Sequence, residues 1–530
     1  MLPRNRCLCD HRCHRHAGQT VLVETAAAVS SPPKTQLLQP SGTEFWITTL
    51  SNFLERNKRC ISVCIMKAFA KWSNKFKKYP LCCTWIAYTP FVLIHKAEAV
   101  RDLLLVKRNV EKSWIYYFFG QICGKKSFTC DSVQWKDRRK LFAPCFQSNM
   151  LKGYLTVFNE HSHKFSKYLM KETENDFTSV DEPISLSALD IVCECIMGVN
   201  IGAFENKSKQ FVESLHRTLD LVMARVLKFW QWPDILYWNS KTGKEAAYHR
   251  QVIHDFSKTI IEDRKRRYLN GEKADDSSKY KSLLEVLLKL HIEDKALDEE
   301  GVRREVDTFI VAGHDTVATT IKWALYLIGH HPEVQEKDPP RNRQRLRRRR
   351  RQTAFSGRSQ RSQVSGVRVK GSRVMSTNFK RMHECNRIYP SVPLFGRHIS
   401  EETKLCGYTA PKGTSAIVMT YFLHRDEDVF PDPEKFDPDR FLPENKNKIP
   451  ECAYVPFELG QDIAGGSRDG GEDHGVPHFE KLLPSLSGFQ GQNVDSHEHH
   501  SAVFSASSYQ VSTETQQQQL VITRVFGLVL

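Results

Sequence analysis

The sequence has no long apolar run, no acidic excess and no regular cysteine framework. None of its stretches reaches the roughly 18 consecutive apolar residues that are typical of a transmembrane helix. The best candidate, Leu81 to Ile94, is shorter and contains Pro90, and it predicts two strands around a Thr-Pro turn. The 15 cysteines are spaced irregularly over 530 residues, which argues against a disulfide scaffold and favours a reducing compartment. No cysteine follows Cys452.

The positive charge is concentrated in one segment. A net charge of +16 ordinarily indicates a polyanion or an acidic membrane surface as partner, but residues 338–381 carry nearly all of the excess. One interpretation is a basic interaction protein that binds nucleic acid through Arg341 to Arg351. The other is an aberrant insert, such as a shifted reading frame or a retained intron. We favour the insert because the segment has abrupt edges and no sustained apolar period, so nucleic acid is not the expected partner.

Three cysteines near the N-terminus, Cys7, Cys9 and Cys13, stand within ten residues together with His11, His14 and His16. Thiolate and imidazole are the preferred ligands of zinc, so the cluster is one candidate metal site. Its spacing matches no two-knuckle pattern, however, and no second pair of ligands follows at a suitable distance. We therefore predict an irregular leader over residues 1–44 and no metal site there.

The most informative stretch runs from Val302 to His331. Its apolar residues recur at spacings of three and four, which predicts a long buried helix. The middle of that helix carries Ala312, Gly313, Asp315 and Thr316, which places a helix-weakening glycine beside an acid and a hydroxyl. Burying a polar group destabilises the fold unless the group has a hydrogen-bond or charge partner. Residues that are locally unfavourable in this way are expected at functional sites. The structural alternative is a glycine at a helix crossing with a solvated aspartate.

The pattern small-Gly-x-acid-Thr resembles the oxygen-activating helix of the cytochrome P450 heme-thiolate monooxygenases. The surrounding sequence is similar to their family 4, or fatty-acid hydroxylase, branch. The resemblance implies that Ala312 and Gly313 leave room for dioxygen on the heme, and that Asp315 and Thr316 relay protons to it. The branch usually has a glutamate where Ala312 stands, which in some members is bonded to the heme, and alanine cannot form that bond.

Three further residues are candidates for binding heme propionates. Trp135 and Arg139 are four apart, so both project from one helix face, and the family uses such a pair for a propionate. An indole is a good donor and a guanidinium is a fixed cation, which suits that role. Arg397 is similar to a residue that reaches a propionate in many relatives.

A charged trio is the third shared motif. Glu384 and Arg387 are three apart on one helical turn, and Arg440 lies about fifty residues later in Phe-Asp-Pro-Asp-Arg-Phe. The resemblance implies that the three lock together behind the heme, where buried charges are tolerable only if each is paired.

The ligand of the heme iron is where this sequence departs from the family. After Phe457 the family continues to a cysteine whose thiolate binds the iron and favours O–O cleavage. In ungapped register Ala464 occupies that cysteine position and Asp462 replaces an arginine. Alanine cannot bind iron, so we predict no metal ligand there. The sequence after Asp462 is too rich in glycine and polar residues to form the helix expected beneath the heme.

The resemblance predicts a mainly α fold with a small β portion, that of a cytochrome P450, incomplete at the C-terminus. Residues 45–457 would form the domain, interrupted by the aberrant segment 338–377, and residues 458–530 would be a disordered, low-complexity tail.

The implied function is insertion of one oxygen atom from O2 into a lipid-like or other apolar substrate, with heme as cofactor and NADPH-cytochrome P450 reductase as electron donor. One alternative is a catalytically inactive remnant that acts at most as a binding protein, and another is the basic interaction protein described above. The resemblance also implies the endoplasmic reticulum membrane, although no N-terminal anchor helix is predicted. Either the true N-terminus is missing, or contact with a membrane surface uses weaker interactions.

Overall fold

The computed structural model describes residues 69–71, 73–86, 89–105, 111–120, 138, 148–172, 175, 178–271, 282–336 and 372–456. Its helices are α1 (Ala97–Leu105), α2 (Ser148–Glu172), α3 (Asp181–Met197), α4 (Lys209–Leu227), α5 (Asp234–Asn239), α6 (Lys241–Leu269), α7 (Leu283–Ile292), α8 (Glu299–His330), α9 (Pro332–Glu336), α10 (Ser372–Ile388), α11 (Thr420–Leu423) and α12 (Pro443–Lys446). Its strands are β1 (Leu81–Ile86), β2 (Thr89–Ile94), β3 (Phe395–His398), β4 (Thr403–Leu405), β5 (Tyr408–Ala410) and β6 (Ser415–Val418). Helix thus dominates the described residues, as the sequence predicts.

Helix α8 is the centre of the fold. It packs against α3, α6, α7 and α10, and most of its length is buried. Its start is well specified, because the Asp298 side chain accepts a hydrogen bond from the Gly301 N–H at 3.0 Å. Glu299 and Glu300 in the first turn complement the helix dipole. The predicted long buried helix is therefore present, three residues earlier at its start than the periodic stretch.

Two helices that lead into α8 begin in the same manner. Ser240 caps α6 by accepting from the Gly243 N–H at 3.0 Å. Ser282 caps α7 by accepting from the Glu285 N–H at 3.3 Å, in a Ser-x-x-Glu sequence that is typical of helix starts. Local sequence thus defines where these helices begin, and tertiary packing then buries their apolar sides.

A four-stranded sheet joins distant parts of the chain in the order β1-β2-β6-β3. Strands β1 and β2 form the predicted hairpin, but Thr89 and Pro90 lie inside β2, opposite Ile86 and Trp85. The predicted Thr-Pro turn is therefore wrong, because a proline near the start of a strand is tolerated there. Strand β6 runs parallel to β2 and antiparallel to β3, and all four of its residues are buried.

Several predicted segments lie outside the described residues. These are the N-terminal cysteine cluster, most of the Arg-rich segment, the Trp135 and Arg139 pair, and everything from Phe457 onward. Among the described residues, no helix combines the length and the apolarity that crossing a bilayer requires.

Candidate functional site

The candidate oxygen-binding turn is a continuous part of α8. The Thr316 hydroxyl donates to the Ala312 carbonyl at 2.8 Å, and the Thr320 hydroxyl donates to the Thr316 carbonyl at 2.9 Å. Ala312 and Thr316 are half-buried, whereas Gly313 and Asp315 are buried. Because Asp315 is only 5% exposed, the alternative of a solvated aspartate is wrong. The structure thus places a buried acid next to a hydroxyl that already has a local hydrogen-bond acceptor.

The structure brings Glu384, Arg387 and Arg440 together. Arg387 and Glu384 are both fully buried and form two parallel hydrogen bonds of 2.8 Å each. The Arg440 Nε lies 3.6 Å from the same carboxylate, whose Oε1 also accepts from the Asp437 backbone N–H at 3.0 Å. One carboxylate therefore faces two guanidinium groups and a peptide N–H, which is the arrangement that a buried charge requires.

The remaining donors of Arg387 are used by the backbone. Its two terminal nitrogens donate to the carbonyls of His424 at 3.0 Å and Lys435 at 3.2 Å. These bonds attach α10 to two loops that follow the sheet. Burial raises the pKa of Glu384, and the neighbouring guanidinium groups oppose that rise. The group is thus one hydrogen-bonded unit that connects three segments of the chain.

Arg397 lies on β3 and is buried in the sheet, opposite Ala416 of β6. Its guanidinium donates to the Gly396 carbonyl at 3.3 Å and packs 5.2 Å from the Phe395 ring centroid. The neighbour of Arg139, Arg138, is described and forms an ion pair with the buried Glu305 of α8.

Comparison with known proteins now identifies the fold. The family described as Cytochrome P450 matches residues 46–462 of the chain. The chain belongs to the cytochrome P450 family. A solved structure, described as the heme domain of cytochrome P450DA, shares the fold with a TM-score of 0.62 and 17% identity, over 82% of this chain and 89% of that one. The predicted fold class is therefore confirmed.

The similar proteins of higher identity are named as family 4 cytochromes P450. Cytochrome P450 4V2 of Rattus norvegicus is 35% identical over 403 residues, which are 74% of this chain and 73% of the relative. Cytochrome P450 4c3 of Drosophila melanogaster is 32% identical over 390 residues, 71% and 70% of the two chains. The predicted family and its family 4 character are confirmed, and by family the chain is a heme-dependent oxidoreductase of the monooxygenase type.

The described cysteines of this chain are buried or half-buried, and all of them precede Phe457, after which the family has its thiolate ligand. Without a bound metal, burial raises the pKa of Cys406 and of Cys452 to about 11. Burial also raises the pKa of the other described cysteines, which are Cys82, Cys83, Cys193, Cys195 and Cys385. The sequence after Phe457 contains no cysteine. None of the described cysteines therefore stands in the expected register of the thiolate ligand, which falls at Ala464.

Two histidines beside the approach to the heme loop have no counterpart in the sequence prediction. His424 is fully buried and its Nε2 accepts from the Val455 N–H at 2.8 Å. The Tyr454 hydroxyl donates to the His383 carbonyl at 3.0 Å and accepts from the His383 Nδ1 at 3.0 Å. The two imidazoles therefore hold Tyr454 and Val455 in place, and only tertiary contacts reveal this role.

We expect these histidines to limit stability in acid. Burial lowers the pKa of His383 and of His424 to about 3, from an ordinary value of 6.5. The folded protein keeps them neutral while the unfolded chain binds protons below pH 6.5. Their contribution is complete above that pH and is lost as the pH falls towards 3, by about 1.4 kcal/mol per pH unit for each histidine.

Urea unfolding at a series of pH values measures this effect. His424→Asn should make the fall in unfolding free energy below pH 6.5 shallower by that amount. His163→Asn, at an exposed position of α2, is the matched control and should leave the slope unchanged. Equal slopes for the parent protein and His424→Asn would contradict the assignment.

Proposed function

We propose that this site is built to insert one oxygen atom of O2 into a C–H bond of a lipid-like apolar molecule, with electrons from NADPH-cytochrome P450 reductase. The observation that carries the proposal is the buried Asp315 beside Thr316, on a helix surrounded by the apolar core. Similarity to family 4 cytochromes P450 supports a fatty-acid-like substrate in particular.

Each candidate residue has a distinct task in this proposal. The heme supplies the activation of dioxygen when it is bound. Asp315 and Thr316 hold and pass protons at the distal side, where Ala312 and Gly313 keep the helix surface small. Arg139 and Arg397 would neutralise the heme carboxylates and Trp135 would donate a hydrogen bond to one, because guanidinium is a fixed cation and indole is a donor. Glu384, Arg387 and Arg440 hold the protein behind the heme in one conformation.

A second candidate function is binding without turnover. The specific observation in its favour is the register of the heme loop, where Ala464 stands at the position of the thiolate. With no cysteine after Cys452, the 530-residue chain would keep an apolar interior without usable iron. The two candidates agree on the ligand class and differ in the chemistry.

Replacing the segment after Phe457 with a cysteine-containing loop and helix separates the two candidates. With reductase and NADPH, the repaired protein should oxidise a fatty acid such as dodecanoate, and the parent chain should give no product. Thr316→Ala in the repaired protein should lower the rate by about a hundredfold, as loss of a proton-transfer group does. Thr308→Ala is the matched control, because Thr308 makes the same local bond, to the Arg304 carbonyl at 2.7 Å. Turnover by the parent chain would contradict binding without turnover, and equal rates for the two variants would contradict the role proposed for Thr316.

A membrane surface is the partner that the exposed apolar residues favour. Four large apolar residues between α4 and α6 are exposed, and we call them the apolar patch: Phe229, Trp230, Ile235 and Leu236. Ile235 is 73% exposed, and the exposed Lys241 and Lys244 follow directly in the chain. Apolar side chains beside lysines are suited to the interface of an anionic bilayer. This placement supports contact with a membrane, and similarity to family 4 cytochromes P450 supports the endoplasmic reticulum as the proposed location.

The apolar patch is held rigidly. The buried Arg225 donates to the carbonyls of Gln231 and Trp232 at 3.0 Å each and to the Asp234 carboxylate at 2.6 Å. Its guanidinium also lies 3.9 Å from the Tyr237 ring centroid. The segment therefore loses little conformational entropy when it binds a surface.

Binding to vesicles tests the membrane contact. Trp230→Ser/Ile235→Ser/Leu236→Ser should weaken binding to phosphatidylcholine–phosphatidylserine vesicles by more than about tenfold, since each apolar side chain contributes about 1.5–3 kcal/mol when buried. Met170→Ser/Leu269→Ser is the control, because both residues are exposed but lie at the C-terminal ends of α2 and α6. If both variants lose the same fraction of vesicle binding in a cosedimentation assay, the apolar patch is not the membrane-binding surface.

A further inference from the structure

His314 lies in the oxygen-binding turn but on the opposite side of α8 from Ala312 and Thr316. Successive residues of an α-helix are about 100° apart, so position 314 projects about 200° from position 312, and position 316 only about 40°. Consistent with this, the His314 side chain is fully buried, whereas Ala312 and Thr316 are half-buried. His314 thus belongs to the side of α8 that packs against α3.

The hydrogen bonds of His314 define which of its nitrogens carries the proton. Its Nε2 lies 3.1 Å from the Ser185 carbonyl oxygen and 3.0 Å from the Ser185 hydroxyl oxygen. A carbonyl oxygen can only accept, so the His314 Nε2 must carry a hydrogen. That N–H is shared between two oxygens of one residue, which attaches α8 to the first turns of α3.

The Ser185 hydroxyl continues the chain of bonds to a third helix. Because it accepts from His314, its own hydrogen is directed to the His216 Nε2 on α4, 3.2 Å away. The two imidazole rings stack at 18° with centroids 5.4 Å apart. The bonds therefore run in one direction, from His314 through Ser185 to His216, and join α8, α3 and α4.

We propose that His314 is a positioning residue: its Nε2–H, bound to Ser185, fixes the rotation of α8 about its axis and so the direction in which Asp315 and Thr316 project. A rotation of about 20° would move an atom at the edge of a helix of about 5 Å radius by nearly 2 Å. That displacement exceeds the tolerance of a hydrogen bond. The inference rests on the proposed function of the turn, since it assigns His314 the task of aiming its proton-carrying groups.

Two nearly isosteric substitutions separate hydrogen bonding from packing. In His314→Gln the amide nitrogen is as many bonds from the Cα as the histidine Nε2, and it carries hydrogens. In His314→Met a methyl group takes that place. The measurement is amide hydrogen exchange over residues 309–320 of the full 530-residue chain, with dodecanoate binding followed in parallel. Ile328→Met, at a buried position near the C-terminal end of α8, is the control.

We expect exchange over residues 309–320 to rise about tenfold in His314→Met, as loss of one buried hydrogen bond does, and to stay near the parent rate in His314→Gln and Ile328→Met. A folded His314→Gln beside an unfolded His314→Met would also support the inference. Equal exchange in the two variants, or loss of the fold in both, would overturn it. Failure of the parent chain to bind dodecanoate would instead count against the proposed function, because the exchange result does not depend on that ligand.

Discussion

Replacing Arg387 with alanine should leave no soluble, folded protein. The substitution removes both hydrogen bonds to Glu384 and leaves a fully buried carboxylate with only the Asp437 N–H and Arg440, 3.6 Å away. It also removes the hydrogen bonds that Arg387 donates to the carbonyls of His424 and Lys435. Breaking a buried ion pair from one side costs about 3–5 kcal/mol. Because a protein is typically stable by about 5–15 kcal/mol, that loss is a large part of the total. Soluble yield and thermal unfolding measure it.

Two control variants distinguish the effect of breaking a buried ion pair from the effect of removing any charged residue. Arg266→Ala removes an exposed partner of Asp263 on α6, and should cost less than about 1 kcal/mol. The double variant Glu384→Gln/Arg387→Met removes both buried charges, and should recover part of the folded protein that Arg387→Ala loses. An Arg387→Ala protein with the parent melting temperature would contradict the role of this group.

Local patterns account for the parts of the fold that the sequence predicted. The apolar spacing around Val306 and Ile310 is a property of one helix, so α8 was predictable before any tertiary contact was known. The same holds for Glu384 and Arg387, which are three apart on α10. The turn of the β1–β2 hairpin was misplaced because Thr-Pro is a turn signal that β2 instead accommodates within the strand.

Contacts between segments that are distant in the chain could not be predicted from the sequence. Phe91 pairs with Ser415 across more than three hundred residues, and no local pattern specifies a parallel partner. The bonds of His314 to Ser185 are of the same kind, as they depend on how α3 crosses α8. The assignments of Trp135 and Arg139 to heme propionates stay predictions, because they lie outside the described residues.

The second large effect concerns the iron ligand. We expect the 530-residue chain to bind heme weakly and without a thiolate bond, because Ala464 has no donor atom and Asp462 would repel a heme carboxylate. We do not expect Cys452 to substitute, because it stands twelve residues before the ligand position in the sequence. Replacing the segment after Phe457 with a cysteine-containing loop and helix should restore both affinity and the thiolate bond. A heme titration of the two proteins compares their affinities, and equal affinities would argue against this account.

The most direct test is the difference spectrum of the reduced protein with carbon monoxide. The 530-residue chain, supplied with heme and reduced under carbon monoxide, should lack the red-shifted absorption band of a thiolate-bound heme. The protein with the replaced segment, treated identically, should show it. A full thiolate-type band from the parent chain would contradict the account, since it would mean that another cysteine binds the iron.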